Sequence, residues 1–114
     1  MLKYNEAQKF KVFLKKKSNQ IRPENILRLE AQANYTYVYT KSGKFIFAKT
    51  LKSFETTLDS AQFIRAHRSH LINKTHVKSA SSKGQGLVLK LESGIEIDVS
   101  RRRQRKVRKF FASI

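Results

Sequence analysis

The sequence predicts a mainly β fold with one short helix in the middle of the chain and a second helix at its C-terminus. Three observations carry that expectation. Apolar and polar residues alternate with period two along much of the chain, turn residues punctuate the alternation at hairpin spacing, and helical spacing of apolar residues occurs in only two places. With 114 residues there is room for one domain around one modest core, and none for a second folded unit.

The first element is KFKVFL, where apolar and basic residues alternate over Phe10 to Leu14 as in a half-buried strand; the polar KKKSNQ after it is a turn. Pro23 breaks the chain, and Ile26, Leu27 and Leu29 lead into EAQANYTYVYT. This stretch is a strand, a loop around Gln32 to Asn34, and a second strand with Tyr35, Tyr37 and Tyr39 on one face and Thr36, Val38 and Thr40 on the other. KSGK turns the chain into FIFA, with Gly43 where a positive φ is tolerated, so a hairpin spans about Tyr35 to Ala48.

Leu51, Phe54 and Leu58 then recur at i, i+3 and i+7 behind Thr50, the predicted N-cap of a short helix. Phe63 and Ile64 open the stretch FIRAHRSHLIN and Leu71 and Ile72 close it, as apolar anchors around a polar turn. HVKSASS leads to a further turn at KGQG. LVLKLESGIEIDVS reads as two alternating strands around Ser93-Gly94, with Leu87, Leu89 and Leu91 on one face, and Ile95, Ile97 and Val99 on one face of the return strand. The terminal helix has Ser100 as its predicted N-cap and Val107, Phe110, Phe111 and Ile114 at helical spacing.

Charge narrows the function. Lys and Arg number 25 against 8 Asp and Glu, a formal charge of +17 that asks for a polyanion. Nucleic acid fits, because neutralising phosphates releases condensed counterions; an anionic membrane surface is the other candidate. No apolar stretch approaches the roughly 18 residues of a spanning helix, and MLKYNEAQKF lacks the apolar core of a signal peptide, so a soluble cytoplasmic protein is expected. The absence of cysteine excludes disulfides, thiolate metal sites, Cys nucleophiles and zinc fingers.

FIRAHRSHLIN crowds His67, Arg68, Ser69, His70 and Asn73 together and raises three chemistries. Two imidazoles without cysteine or a nearby acid make an incomplete zinc site, and Arg65 and Arg68 repel a cation, so neither metal nor cofactor is expected. Catalysis by Ser69 with a histidine base lacks an orienting carboxylate and a nucleophile elbow, and acids stand singly, so no enzyme is expected. What remains is an anion surface: Arg65, Arg68, Ser69, His70 and Asn73 are donor types found on phosphates and base edges. His67 itself reads better as a half-buried, hydrogen-bonded framework residue.

A second surface follows Ser100, where every residue from Arg101 to Lys109 except Gln104 and Val107 is basic. Arginines in the first turn oppose the helix macrodipole by a few tenths of a kcal/mol each, roughly, so an anion is expected to dock there. Backbone N–H groups at a helix start with guanidinium forks make a phosphate clamp, and Arg also reads guanine bidentately. A solvated basic face is the usual fate of such a run, and the residues alone leave both readings open.

In order, LEAQANYTYVYTKSG, TLKSFETTL, FIRAHRSHLIN and LKLESGIEIDVSRR closely resemble the LytTR DNA-binding domain of bacterial transcription regulators. The resemblance runs from about Phe10 to Ile114, is most specific at His67 to Asn73 and at the V-S-R-R ending at Arg102, and leaves residues 1–9 as an N-terminal extension. It implies an elongated arrangement of short antiparallel sheets whose loops enter successive major grooves of double-stranded DNA. By motif, the base contacts fall on Thr36, Arg68 and Arg102, with Asn34 and Tyr35 equally reachable at the first position. Lys74, Arg101, Arg103, Ser69 and Asn73 are then phosphate-positioning or structural.

Family members commonly carry this domain behind a receiver domain as a response regulator output. No receiver precedes it here, so an excised domain and a stand-alone regulator are both open. The expectation is a sequence-specific transcription regulator, binding as two copies on repeated half-sites. The alternative is a basic RNA-binding or ribosome-associated protein whose Tyr35, Tyr37 and Tyr39 stack unpaired bases.

Overall fold

The computed structural model describes residues 22–112. The strand expected at Phe10 to Leu14, the turn after it and Ile114 lie outside the described residues. Eight strands are present: β1 (Ile26–Gln32), β2 (Tyr35–Thr40), β3 (Gly43–Phe47), β4 (Phe63–His67), β5 (His70–Asn73), β6 (Val77–Lys83), β7 (Gly86–Leu91) and β8 (Glu96–Asp98). Helix α1 (Leu51–Thr57) separates β3 from β4, α2 (Gln104–Ala112) closes the described chain, and short 3₁₀ turns occupy Pro23–Asn25, Lys74–His76 and Arg101–Arg103.

All pairings are antiparallel. One sheet has the order β3-β2-β1-β5-β4 and the other the order β6-β7-β8. The described residues extend 43 × 30 × 29 Å, longer in one direction as expected.

Strands β4 and β5 of the large sheet contribute to two hydrophobic cores, one on each face. On one face of the large sheet Leu29, Val38, Phe47, Phe63 and Leu71 pack against Leu51, Phe54 and Leu58 from α1 and its end. On the other face Ile64, Ala66 and Ile72 pack against Leu87, Leu89, Leu91, Ile97, Val99 and Val107. Strands covered on both faces lose the polar alternation of a half-buried strand, which is why FI and LI are apolar doublets. Each such side chain, fully buried, contributes about 1.5–3 kcal/mol, so β4 is anchored twice over.

Several local expectations hold. The Tyr35, Tyr37, Tyr39 face of β2 is half-buried or exposed, while Thr36, Val38 and Thr40 are buried. Thr50 caps α1, its side chain accepting from the Ser53 N–H at 3.2 Å. Gly43 takes φ +140°.

Others differ. RAHRSH is not one turn between anchors but the ends of β4 and β5 around a two-residue turn, Arg68-Ser69. KSASS forms β6, whose side chains after Val77 are exposed, so it had no apolar alternation to betray it. Ile95 is 40% exposed and does not join Ile97 and Val99 in the core. Ser100 gives no side-chain cap; the chain makes the Arg101–Arg103 3₁₀ turn first, and α2 starts at Gln104.

Candidate nucleic-acid interface

The registers gather several turns at one end of the molecule. Gln32 faces Tyr35 across the β1–β2 turn, Glu30 faces His70, and His67 faces His70 across the β4–β5 turn, so Ala33-Asn34 and Arg68-Ser69 emerge together. The Ala31 N–H donates to the Ser69 carbonyl at 2.9 Å and ties the two turns. The pairing of β4 with β5 slips between Arg65 and His67, and the Ala66 carbonyl there accepts the Ser100 N–H at 2.9 Å. That bond brings Arg101–Arg103 to the same end.

Arg68 projects from a turn held from three sides. Arg65 donates from Nε to the His67 carbonyl at 2.9 Å and from Nη2 to the Arg68 carbonyl, while its Nη1 donates to Glu55 Oε1 of α1 at 2.8 Å. His67 Nδ1 accepts the Ser69 N–H at 3.2 Å and lies 2.9 Å from Ser69 Oγ. His67 therefore brackets Arg68 as a framework residue.

His70 sits half-buried, 5.6 Å from the His67 ring, with its Nδ1 buried and unpartnered. Burial pushes its pKa below the ordinary value, against the pull of Glu30, and the nearby His67 and Arg28 add to the depression. Glu30 is also lowered, but for different reasons. Burial alone raises it, but hydrogen bonds from Arg28 at 2.6 Å and Gln32 at 3.1 Å, with the charges of Arg28 and His70, hold it below the usual carboxylate value.

Arg101 and Arg102 are exposed on their 3₁₀ turn, and Arg103 is half-buried with Nη1 3.4 Å from Ser100 Oγ. α2 buries Val107 and exposes Arg105, Lys106, Arg108 and Lys109. Arg108 Nη1 donates to Ser82 Oγ of β6 at 3.3 Å, which docks the basic helix on the small sheet.

The profile of the LytTr DNA-binding domain matches residues 16–112, nearly the whole chain. The chain belongs to the LytTR DNA-binding domain family. A solved LytTr DNA-binding domain from Bacillus cereus superposes with a TM-score of 0.74 at 27% identity, covering 80% of this chain and 84% of that one. The transcriptional regulatory protein LytR of Staphylococcus aureus is 28% identical over 98 residues, which are 85% of this chain and 40% of LytR. The CO-responsive transcriptional regulator RcoM of Rhodospirillum rubrum is 32% identical over 69 residues, 60% of this chain and 29% of RcoM. The matched residues thus span less than half the length of LytR and of RcoM.

Within this LytTR domain the expected contact residues divide. Arg68, Arg101, Arg102, Asn34 and Tyr35 are exposed at the shared end, with Ser69 and Arg103 half-buried beside them. Three others are not presented on that surface. Thr36 is 0% exposed and its Oγ1 donates to the Lys49 carbonyl at 2.6 Å, so its side chain faces the core. Asn73 is likewise fully buried. Its Nδ2 donates to the Ile26 carbonyl at 2.7 Å, and its Oδ1 accepts from Thr75 N–H, Thr75 Oγ1 and Gln62 Nε2. Lys74 follows β5 at the opposite end from Arg68, with Nζ 4.9 Å from the Phe110 ring centroid.

Among the described residues no group of three or more His, Cys, Asp or Glu is arranged to hold a metal, and no helix is long and apolar enough to cross a membrane. Sequence reasoning placed Arg65 among the anion contacts, whereas its guanidinium is engaged within the protein. Its partner Glu55 gave no signal, being ten positions away on a different element.

Proposed function

We propose that this LytTR domain binds double-stranded DNA with base specificity, Arg68 and Arg102 entering the major groove, as the DNA-reading part of a transcription regulator. One observation carries the reading: two exposed arginines, on turns distant in sequence, are fixed to the same strand end through the Ala66–Ser100 hydrogen bond. Arg donates bidentately to guanine O6 and N7, and each such pair is worth about 1–3 kcal/mol of discrimination. Asn34 and Tyr35 take the third contact in place of Thr36, and Ser69, Arg101, Arg103 and Lys106 position phosphates. Two copies occupy repeated half-sites, and the domain acts by binding without catalysis.

Single-stranded RNA is the weaker reading. Tyr39 lies under the Arg28 guanidinium at 3.9 Å and Tyr37 under Lys44 Nζ at 4.9 Å, which leaves Tyr35, of these three, freely exposed for stacking. The test titrates the protein, at several salt concentrations, against a duplex selected from a random pool, a random duplex and a single-stranded RNA. The selected duplex is expected to bind at least about 10³-fold tighter than the random one, with log K falling linearly with log salt. Equal affinity for both duplexes overturns the specific reading, and a winning RNA replaces it.

A further inference from the structure

We propose that Arg65 is a positioning residue for DNA reading: it locks the Arg68-Ser69 turn and so fixes which bases Arg68 reaches, while Glu55 of α1 holds Arg65 in place. The inference rests on the role proposed above for Arg68.

A two-residue turn leaves carbonyls pointing away from the strand ladder, free to let the turn rock. Here the His67 and Arg68 carbonyls both accept from one guanidinium, whose third nitrogen is bound to the Glu55 carboxylate. The Arg65 side chain is 15% exposed, so its charge is turned into the protein and away from a phosphate. Only a planar fork serves two carbonyls and a carboxylate at once; a lysine ammonium is a point donor on a flexible stem.

Three successive residues of β4 then hold the reading surface. Arg65 clamps the turn, the Ala66 carbonyl holds Ser100 ahead of Arg102, and His67 binds Ser69. β4 is also buried in both cores, which makes it a rigid base for a contact that tolerates little displacement.

The experiment uses the full chain and a duplex selected by the wild type from a random pool. It compares the ratio of affinities for the selected and a random duplex in wild type, Arg65→Lys, Glu55→Gln, Arg68→Ala and Arg65→Lys with Arg68→Ala, alongside thermal melting. Arg65→Lys is expected to lower the ratio about tenfold, within the range one bidentate base contact supplies, with random-duplex affinity nearly unchanged. Combined with Arg68→Ala it adds no further loss.

Glu55→Gln keeps both carbonyl bonds and is expected to lower the ratio about threefold, a smaller effect that tests the clamp should Arg65→Lys fold poorly. The inference is overturned if folded Arg65→Lys or Glu55→Gln keeps the wild-type ratio, if Arg65→Lys weakens both duplexes alike, or if its loss persists in the Arg68→Ala background. In those cases the reading of Arg68 stands. A wild type that does not discriminate overturns both.

Discussion

At one end of the large sheet, the Ala33-Asn34 turn, the Arg68-Ser69 turn and the Arg101–Arg103 turn are tied by two backbone hydrogen bonds of 2.9 Å, from Ala31 to Ser69 and from Ser100 to Ala66. At the other end, Pro23–Asn25, the β2–β3 turn, Lys74–His76 and the β7–β8 turn are held by Lys41 N–H to the Asn25 carbonyl at 3.2 Å, Glu92 N–H to the His76 carbonyl at 2.9 Å, and Asn73 to the Ile26 carbonyl at 2.7 Å. Connectivity does not separate the two ends. At the second, His76 lies 3.4 Å from Glu92, Asn73 is buried, and Leu27, Tyr39, Leu91 and Ile95 line an apolar groove. The first end carries no acid in its turns and exposes Arg68, Arg101 and Arg102. Polar groups satisfied within the protein give stability, and donors left over are free for a ligand.

Substitutions at the two ends should therefore separate stability from binding. The largest effect is expected for Asn73→Ala, which strands the Ile26 carbonyl and the Thr75 donors: about 3 kcal/mol of stability in denaturant unfolding. Arg102→Ala should cost about 2 kcal/mol of affinity for a selected duplex, while its unfolding free energy stays within about 0.5 kcal/mol of wild type. A large stability loss there would erase the contrast.

A smaller, pH-dependent effect comes from His70. Its folded-state pKa is depressed, so the unfolded chain takes up the proton first as pH falls below the ordinary 6.5. Its contribution is complete above that value and declines as pH drops towards the folded pKa. Glu30, also depressed, is separate, because its contribution is lost only as pH falls below its ordinary 4.5. Unfolding measured from pH 7.5 to 5 should show the decline in wild type and a flatter profile in His70→Gln.

The smallest effect concerns Ala33, which adopts φ +54° in the β1–β2 turn. Ala33→Gly relieves that strain at some cost in unfolded-state entropy and is expected to raise stability by about 0.5 kcal/mol. A decrease would show that the turn is not strained.

How far the sequence revealed this depends on what kind of signal each residue leaves. Thr50, Leu51, Phe54 and Leu58 announce α1 through local chemistry, and the tyrosine alternation of β2 survives folding unchanged. That same alternation put Thr36 beside Val38 and Thr40 on the buried face, and it was a better guide to the side chain than the motif that suggested a base contact. Lys74 adjoins Asn73 in sequence, yet one strand length removes it from Arg68. β6 was illegible because Lys78, Ser79, Ser81 and Ser82 gain no burial of their own and depend on β7 for pairing. Arg65 and Arg68 are the same residue type three positions apart, and only tertiary contacts with Glu55 and two carbonyls distinguish a clamp from a reader.

The Ala66–Ser100 hydrogen bond brings Arg68 and Arg102 to one end of the large sheet, and the proposed function has them read different bases of one site. The direct measurement is the base preference, position by position, of duplexes selected from a random pool by wild type, Arg68→Ala and Arg102→Ala. Each variant should lose preference at its own one or two positions, by about 1–3 kcal/mol, and keep the rest. Profiles that are unchanged, or that weaken evenly at every position, would contradict it.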